Sequence, residues 1–343
     1  MFISDFDFAL PEHLIAQVPL EHRENSRMLH VDRSAKTFAD EQFSNLARFL
    51  NPDDVLVLNN TKVFPARLLG QSETGAAVEI FLIRELGDML WETLAKPGRR
   101  LKEGKRIDFD PRLSATVNEK RDDGKIVVRF EAEGDLDEII SDIGRTPLPP
   151  YIKREGSGTD SDRGRYQTVF AKNRGAIAAP TAGLHFTPEI LADLRSLGIQ
   201  IVEITLHVGY GTFEPVRAED LTQHAVMPEF YEIGAAAADT LNTARAAGRR
   251  VVAVGTTTTR ALESAVSKTG NFTEIKTAAE LTITPGYRFR AVDALLTNFH
   301  LPKSSLLILV STFGGHELIM KAYRHAVESE YRFYSYGDCM LIT

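Results

Sequence analysis

The sequence predicts an α/β core domain with a small all-β domain inserted into it, and three observations carry that reading. Helix signals alternate with short apolar strand runs through the C-terminal half. From about residue 67 to Gly144 the helix signals give way to short strands punctuated by turns. Phe64-Pro65 and the stacked prolines of Pro147-Leu148-Pro149-Pro150 mark the two crossings, the second extended and semi-rigid. A chain of 343 residues exceeds the usual size of one domain. The expected division is an α/β core at 1–65 and 145–343, with a small β-barrel at 66–144.

In the inserted region, Val78 to Ile83, Trp91 to Leu94 and Ile126 to Phe130 are strand candidates. Gly87-Asp88, Lys96-Pro97-Gly98 and Asp122-Asp123-Gly124 supply the turns between them. Beyond it, Thr187-Pro188-Glu189 reads as an N-cap, a proline at the first helical position and an acid in the first turn. Ile190, Leu191, Leu194 and Leu197 recur at helical spacing, and Gly198 provides the stop. Ile199 to Leu206 is a β-branched strand. A helix from about Ala235 to Ala247 ends at Gly248 and precedes the buried strand Val251 to Val254. The next helix starts after Gly255 and carries Ala261, Leu262 and Ala265. Leu306 to Val310 reads as a fully apolar strand, with a helix after Gly314-Gly315. Continuous apolar strands alternating with helices point to a largely parallel sheet.

Hydrophobic residues at 43% and charged residues at 25% place the chain among globular proteins with a real core. No apolar run approaches the roughly 20 residues that span a bilayer, and the first residues lack the basic and apolar regions of a secretory signal. The single cysteine, Cys339, excludes internal disulfides and cysteine-cluster zinc sites. A cytoplasmic protein without membrane contact, and without a metal, is expected. The net charge of −7 does not favour RNA, so any RNA contact requires local positive regions. Two exist: Lys96, Arg99, Arg100, Lys102, Lys105 and Arg106, and a more dilute run through Lys153, Arg154, Arg163, Arg165, Lys172 and Arg174. Ordinary solvated surface is the better explanation of such clusters when they stand alone.

Four segments at strand ends have the residue types of a ligand site. Pro180-Thr181-Ala182-Gly183-Leu184-His185-Phe186 leads into the capped helix, where free N–H groups suit an anion and His185 suits proton transfer. His207-Val208-Gly209-Tyr210-Gly211-Thr212-Phe213 follows a strand, and its glycines permit close backbone approach or a turn. Gly255-Thr256-Thr257-Thr258-Thr259-Arg260 has donors for a carboxylate or phosphate, but lacks the Gly-Lys-Thr ending of a Walker loop. In Thr297-Asn298-Phe299-His300-Leu301-Pro302-Lys303, Asn298 and His300 alternate with apolar residues and share one face. A structural hydrogen bond for His185 and helix capping by the threonine run are the plain alternatives.

Taken together, these strings resemble the S-adenosylmethionine:tRNA ribosyltransferase-isomerase family of queuosine biosynthesis. The resemblance also takes in Ser4-Asp5-Phe6-Asp7, Leu14-Ile15-Ala16-Gln17, Asn59 to Val63, Lys96-Pro97-Gly98, Pro147 to Ile152, Arg165 to Val169 and Tyr331 to Asp338. It runs nearly end to end, and pairing Pro180–Thr187 with Thr297–Lys303 is specific to that family. It implies an α/β-barrel-like core with an inserted β-barrel. It also implies transfer of the ribosyl part of S-adenosylmethionine onto 7-aminomethyl-7-deazaguanine at the wobble position of a tRNA with a GUN-type anticodon. Epoxyqueuosine results and adenine and methionine leave, so S-adenosylmethionine is consumed as a substrate and no separate cofactor is expected.

That chemistry needs a base near C5′, a donor for the leaving adenine and a seat for the methionine carboxylate. The expected catalytic residues are His185, His207, Glu229 and His300. Thr181, Gly183, Gly209, Gly211, Thr256, Thr257, Arg260 and Asn298 are expected to bind substrate, with Tyr210 or Phe213 stacking on a base. Lys96, Arg99, Arg100, Arg154 and Arg165 are the expected RNA contacts, and the protein is expected to act as a monomer. One departure from the family string His-x-Met-His-x-Glu stands at His224-Ala225-Val226-Met227-Pro228-Glu229, where Met227 replaces the second histidine. Two other function classes fit the residues alone. An enzyme acting on a free nucleotide or phosphorylated metabolite would ignore tRNA, and a non-catalytic RNA-binding protein would not turn over S-adenosylmethionine.

Overall fold

The computed structural model describes all residues except 155–159, 210, 212–215 and 217. In chain order the first strands are β1 (Arg27–Asp32), β2 (Thr37–Gln42), β3 (Val55–Asn59) and β4 (Thr61–Val63). There follow β5 (Arg67–Ser72), β6 (Ala77–Gly87), β7 (Leu90–Lys96), β8 (Arg106–Asp110), β9 (Leu113–Lys120) and β10 (Ile126–Ala132). The remainder are β11 (Asn173–Ala176), β12 (Gln200–Leu206), β13 (Glu229–Ile233), β14 (Val251–Val254), β15 (Ile275–Ala279), β16 (Ala294–Asn298) and β17 (Cys339–Ile342). The helices are α1 (Leu136–Ile143), α2 (Asp160–Arg165), α3 (Pro188–Ser196), α4 (Ala235–Ala246), α5 (Thr256–Thr269), α6 (Ser305–Gly314) and α7 (His316–Glu328). They fall into two compact units: Met1–Lys62, Pro150–Lys153 and Arg165–Thr343, and Val63–Pro149 with Arg154–Gly164.

The first unit is built on a nine-stranded sheet in the order β15-β13-β12-β3-β14-β16-β17-β1-β2. Its centre is parallel, with Ile204 opposite Asn59, Ala253 opposite Val57 and Val254 opposite Leu296. Both flanks carry antiparallel pairs, so the sheet is mixed where the apolar runs suggested a largely parallel one. The central strands are apolar throughout because both faces are covered. Val55, Val57, Val251, Ala253 and Leu295 pack on one face with Leu241 of α4, Leu262 of α5, Ile308 of α6 and Tyr323 of α7. Leu56, Leu58, Val252, Val254 and Leu296 pack on the other with Leu46, Phe186, and Leu191 and Leu194 of α3. This is the two-residue period of a strand sandwiched between helical layers. Cys339 opens β17 fully buried, its thiol 3.6 Å from the Arg27 carbonyl.

Local signals set the helix ends. Thr187 accepts the Ile190 N–H at 3.2 Å, with Pro188 at the first helical position of α3, a cap whose loss costs about 1 kcal/mol. Leu306–Val310 is not a strand but lies in α6, capped by Ser304, which accepts the Leu307 N–H at 3.2 Å. A run of five apolar residues has no period to distinguish a buried strand from a helix buried on nearly every side. Here the cap and the ten-residue length decide for the helix.

The second unit is a closed six-stranded barrel in the order β10-β7-β6-β5-β8-β9. Alternate residues fill it, among them Leu68, Ile80, Leu82, Ile107, Ala115, Val117, Ile126 and Val128. Gly70 lets β5 approach β8 closely, because a Cβ there would lie 2.6 Å from the Asp108 carbonyl and 2.7 Å from the Phe109 ring. The protein thus has the α/β architecture with a closed β-barrel that its sequence predicts.

Candidate active site

In the first unit, the loops at the carboxyl ends of β14 and β16, with the turn Thr181–His185, border a cleft of about 610 Å³. Open α/β sheets place ligands at such strand ends. β14 stops at Gly255, whose φ of 96° and ψ of 151° suit only glycine and whose N–H donates to the Leu296 carbonyl at 2.8 Å. α5 starts at the next residue with no side chain capping it, so its first N–H groups are orphan donors.

The threonine run divides by function along this first turn. The hydroxyls of Thr258 and Thr259 donate back to the carbonyls of Val254 at 2.6 Å and Gly255 at 3.1 Å, and both side chains are fully buried. Thr256 and Thr257 line the cleft instead. A carboxylate placed there meets two hydroxyls, backbone N–H groups and the positive end of the helix dipole.

The opposite wall comes from the turn after β16 and from the C-terminal Tyr334-Ser335. Asn298 donates to the Tyr334 carbonyl at 2.9 Å. His300 Nε2 lies 2.8 Å from Thr297 Oγ1, and its backbone N–H donates to the Tyr323 hydroxyl at 3.0 Å. Burial pushes its imidazole pKa down to about 3, so the ring is neutral at physiological pH. Tyr334 has a φ of 74°, unusual for a bulky residue, and its ring lies 3.8 Å from that of Tyr151. The Tyr151 hydroxyl is 2.5 Å from Ser335 Oγ. The buried Tyr166 hydroxyl faces Ser335 and the Ala179 backbone without a formed hydrogen bond. No described lining residue of the cleft is charged.

His185 lines a second cavity of about 320 Å³, sharing Ser335 with the first. Its Nδ1 is 2.7 Å from Ser26 Oγ and its ring lies 5.3 Å from that of Phe43. Nε2 is buried and faces Asn298, whose Oδ1 is likewise without a formed hydrogen bond. Burial depresses the pKa to about 4; the Arg23 and Arg332 charges press the same way and Asn298 opposes them.

A third cavity, of about 490 Å³, holds Gly211, His224, Met227, Glu229 and Arg260. Glu229 accepts from Arg260 Nη1 at 2.7 Å and from the Gly209 N–H at 2.9 Å. Arg260 also donates to the carbonyls of Leu281, Met227 and Ala279, at 3.1, 3.0 and 2.9 Å. Burial lowers its pKa and the Glu229 charge opposes that. Arg260 therefore does not join Thr256 and Thr257 in the first cleft. His224 is 2.9 Å from Ser305 Oγ, and Met227 packs on Gly211, where a Cβ would come within 2.8 Å of its side chain.

His207 lines none of these three cavities. Its Nδ1 is 2.8 Å from Thr61 Oγ1, its ring stacks on Phe230, and the backbone of Gly175 passes close enough that a Cβ there would strike the imidazole. Thr181 lines the first cleft, while Gly183 packs on Phe170. Tyr210 and Phe213 lie outside the described residues.

In the second unit, Lys96, Arg99 and Arg100 are exposed and make no ion pair among the described residues. Arg154 donates from Nε and Nη2 to the two carboxylate oxygens of Asp162, at 2.9 Å each. Arg165, in the first unit, donates to the carbonyls of Glu21 at 3.1 Å and Leu20. Sequence reasoning missed Arg23, Ser26, Tyr151, Tyr166, Tyr334 and Ser335 as wall residues. A signal existed in the aromatic run Tyr331 to Tyr336, which no pattern of spacing ties to the distant segments that line the cleft with it. Among the described residues no group of three His, Cys, Asp or Glu can hold a metal, and no helix is long and apolar enough to cross a membrane.

The protein is 45% identical over 344 residues to S-adenosylmethionine:tRNA ribosyltransferase-isomerase of Halothermothrix orenii, with all of both chains covered. It is 48% identical over 344 residues to the enzyme of the same name from Syntrophotalea carbinolica, again over both full lengths. The crystal structure of S-adenosylmethionine tRNA ribosyltransferase from Thermotoga maritima superposes with a TM-score of 0.58 at 36% identity, covering 99% of this chain and 100% of that one. The family described as queuosine biosynthesis protein matches residues 3–342, and the chain belongs to that family.

Proposed function

We propose that this protein transfers and isomerises the ribosyl group of S-adenosylmethionine onto 7-aminomethyl-7-deazaguanine in tRNA. The product is epoxyqueuosine, and adenine and methionine are released. The enzyme is a transferase of queuosine biosynthesis, as its full-length relatives are named. The single observation that carries the assignment to this cleft is its charge-free, tyrosine-walled lining beside the uncapped start of α5. Aromatic faces stabilise a sulfonium cation, and the helix start suits the methionine carboxylate.

In this reading Thr256 and Thr257 hold the carboxylate, with Thr181 on the neighbouring wall. The rings of Tyr151 and Tyr334 face the sulfonium or adenine, and Asn298 hydrogen-bonds to the substrate. His300 is the proton acceptor within the cleft. A conjugate-acid pKa near 3 makes it a weak base as it stands. A substrate carboxylate or phosphate seated alongside would stabilise the imidazolium and raise that basicity. Glu229 acts as a positioning residue, holding Arg260 and the Gly209 backbone. His185 and His207 support the walls around Ser26 and Thr61. Gly183, Gly209 and Gly211 permit close packing.

The core at 1–65 and 145–343 carries this chemistry, and Lys96, Arg99 and Arg100 in the 66–144 barrel contact RNA phosphates. Arg154 orders its own segment through Asp162. The partner is a tRNA with a GUN-type anticodon, bound by a monomer working in the cytoplasm, without a cofactor.

The test is direct. Purified protein is incubated with tRNA bearing the aminomethyl-deazaguanine and with S-adenosylmethionine labelled in the ribose or in the methyl group. Ribose label entering tRNA with release of adenine is the expected result. Methyl label in tRNA, or no label, defeats the proposal.

A further inference from the structure

The second cavity is cationic. Arg23 and Arg165 line it together with Ser26 and His185, and none of its described lining residues is acidic. Neither arginine forms an ion pair among the described residues. Arg23 donates one N–H to the Gln167 carbonyl at 3.3 Å, and Arg165 donates to the carbonyls of Glu21 and Leu20. Backbone carbonyls fix the two guanidiniums in place, and Glu24 offsets part of the Arg23 charge from outside the pocket lining. The mutual repulsion of the guanidiniums adds to burial in holding the Arg23 pKa down. A third guanidinium, that of Arg332, donates to the Val18 carbonyl, keeps a buried Nη1 without a partner among the described residues, is offset in part by Asp338, and adds its field at His185. Folded proteins rarely gather half-buried cations without an anion to match.

We propose that this pocket is a phosphate seat, taken by a backbone phosphodiester of the RNA substrate next to the nucleotide being modified. Arg23 and Arg165 donate to the phosphate oxygens, and the Ser26–His185 pair forms the rigid wall behind them. A planar guanidinium matches phosphate geometry and favours this class of anion. The methionine carboxylate has a separate seat at Thr256 and Thr257. Ser335 lies on the boundary of both cavities, so a phosphate here is neighbour to a base in the cleft. The inference rests on the ribosyl-transfer reading given above.

The test uses full-length protein and an anticodon stem-loop RNA bearing the aminomethyl-deazaguanine. Binding is measured against salt concentration for wild type, Arg23→Gln and Arg165→Gln, and S-adenosylmethionine binding is measured separately without RNA. Each variant is expected to weaken RNA binding about tenfold and to lower the salt slope by about 0.7, the value for one single-strand phosphate contact. S-adenosylmethionine binding should not change. Neutralising single linkages with methylphosphonate in wild type should reproduce that loss at one position beside the modified nucleotide, and add nothing in the variants. The wild-type arm remains decisive if a variant fails to fold, and Arg23→Lys should then keep most of the binding.

Weakened S-adenosylmethionine binding with intact RNA binding would make the pocket a carboxylate seat and overturn the proposal. Unchanged RNA binding in folded variants, or no sensitive linkage in wild type, would overturn it as well. Competition by inorganic phosphate without any sensitive linkage would mark a free-anion site, which also counts against it. Ribose transfer by wild type to the same stem-loop is scored in parallel, so failure of the reaction reading is distinguished from failure of the pocket.

Discussion

Glu229 and Arg260 form a buried ion pair, 2.7 Å between Oε2 and Nη1, that joins the start of β13 to the middle of α5. The guanidinium also satisfies three carbonyls, from Met227, Ala279 and Leu281. Arg260→Ala is therefore expected to destabilise the protein by about 3–5 kcal/mol, the range for breaking a buried pair and orphaning its partner. Urea denaturation of the variant checks this. A loss below about 1 kcal/mol, with activity abolished, would instead return Arg260 to direct substrate binding.

Glu263 provides a contrasting case. It is fully buried in α5 and its carboxylate accepts from the Tyr287 hydroxyl and the N–H groups of Arg290, Ala291 and Val292, between 2.8 and 3.1 Å. Glu263→Gln turns one acceptor oxygen into a donor facing N–H groups. A loss of about 2–3 kcal/mol is expected, since hydrogen bonds to a charged group are the strong ones. The kcat of the folded fraction should stay near wild type, measured below the shifted melting temperature.

The division of the threonine run separates binding from folding. Thr257→Ala should raise the KM for S-adenosylmethionine about tenfold, roughly one charge-assisted hydrogen bond, with little change in stability. Thr259→Ala should leave KM alone and lower stability by less than about 1 kcal/mol, as its hydroxyl only bonds back along the helix. Steady-state kinetics and thermal melts on the two variants read this out; equal KM values would refute the division.

His185 and His300 set the acid limb of stability. Their pKa values, depressed to about 4 and about 3 by burial, lie below the unfolded value near 6.5. Between those limits these two side chains bind more protons in the unfolded chain than in the folded one, so their contribution to the unfolding free energy falls as pH drops below about 6.5 and is flat above it. Urea midpoints at pH 5 and pH 7.5 should differ in wild type by more than in His185→Gln. A profile equally steep in the variant would mean that carboxylates, not imidazoles, govern the limb.

How much of this was legible in the sequence depended on whether a feature is local. The cap of α3 at Thr187, the glycine stop at Gly248 and the apolar β14 follow from neighbouring residues, and each was readable. α6 was not, because Leu306 to Val310 lacks a period and its type was settled by the Ser304 cap. β5, β8 and β9 were not singled out either: their runs are short and carry polar residues on the outward face. At the site, the chemistry-bearing strings were visible, but their grouping was not. Arg260 follows Thr257 by one helical turn in sequence, yet its side chain belongs with Glu229. Tyr151 and Tyr334 meet only because the fold brings distant segments together.

Cys339, sealed in β17 between two strands, gives the molecule a built-in clock. Its thiol is fully buried and burial raises its pKa, so the nucleophilic thiolate is suppressed twice over. Alkylation at this atom requires the sheet to open between β16 and β1. Its rate thus counts openings of the first unit, and binding of either substrate can be read as a slowing of that clock.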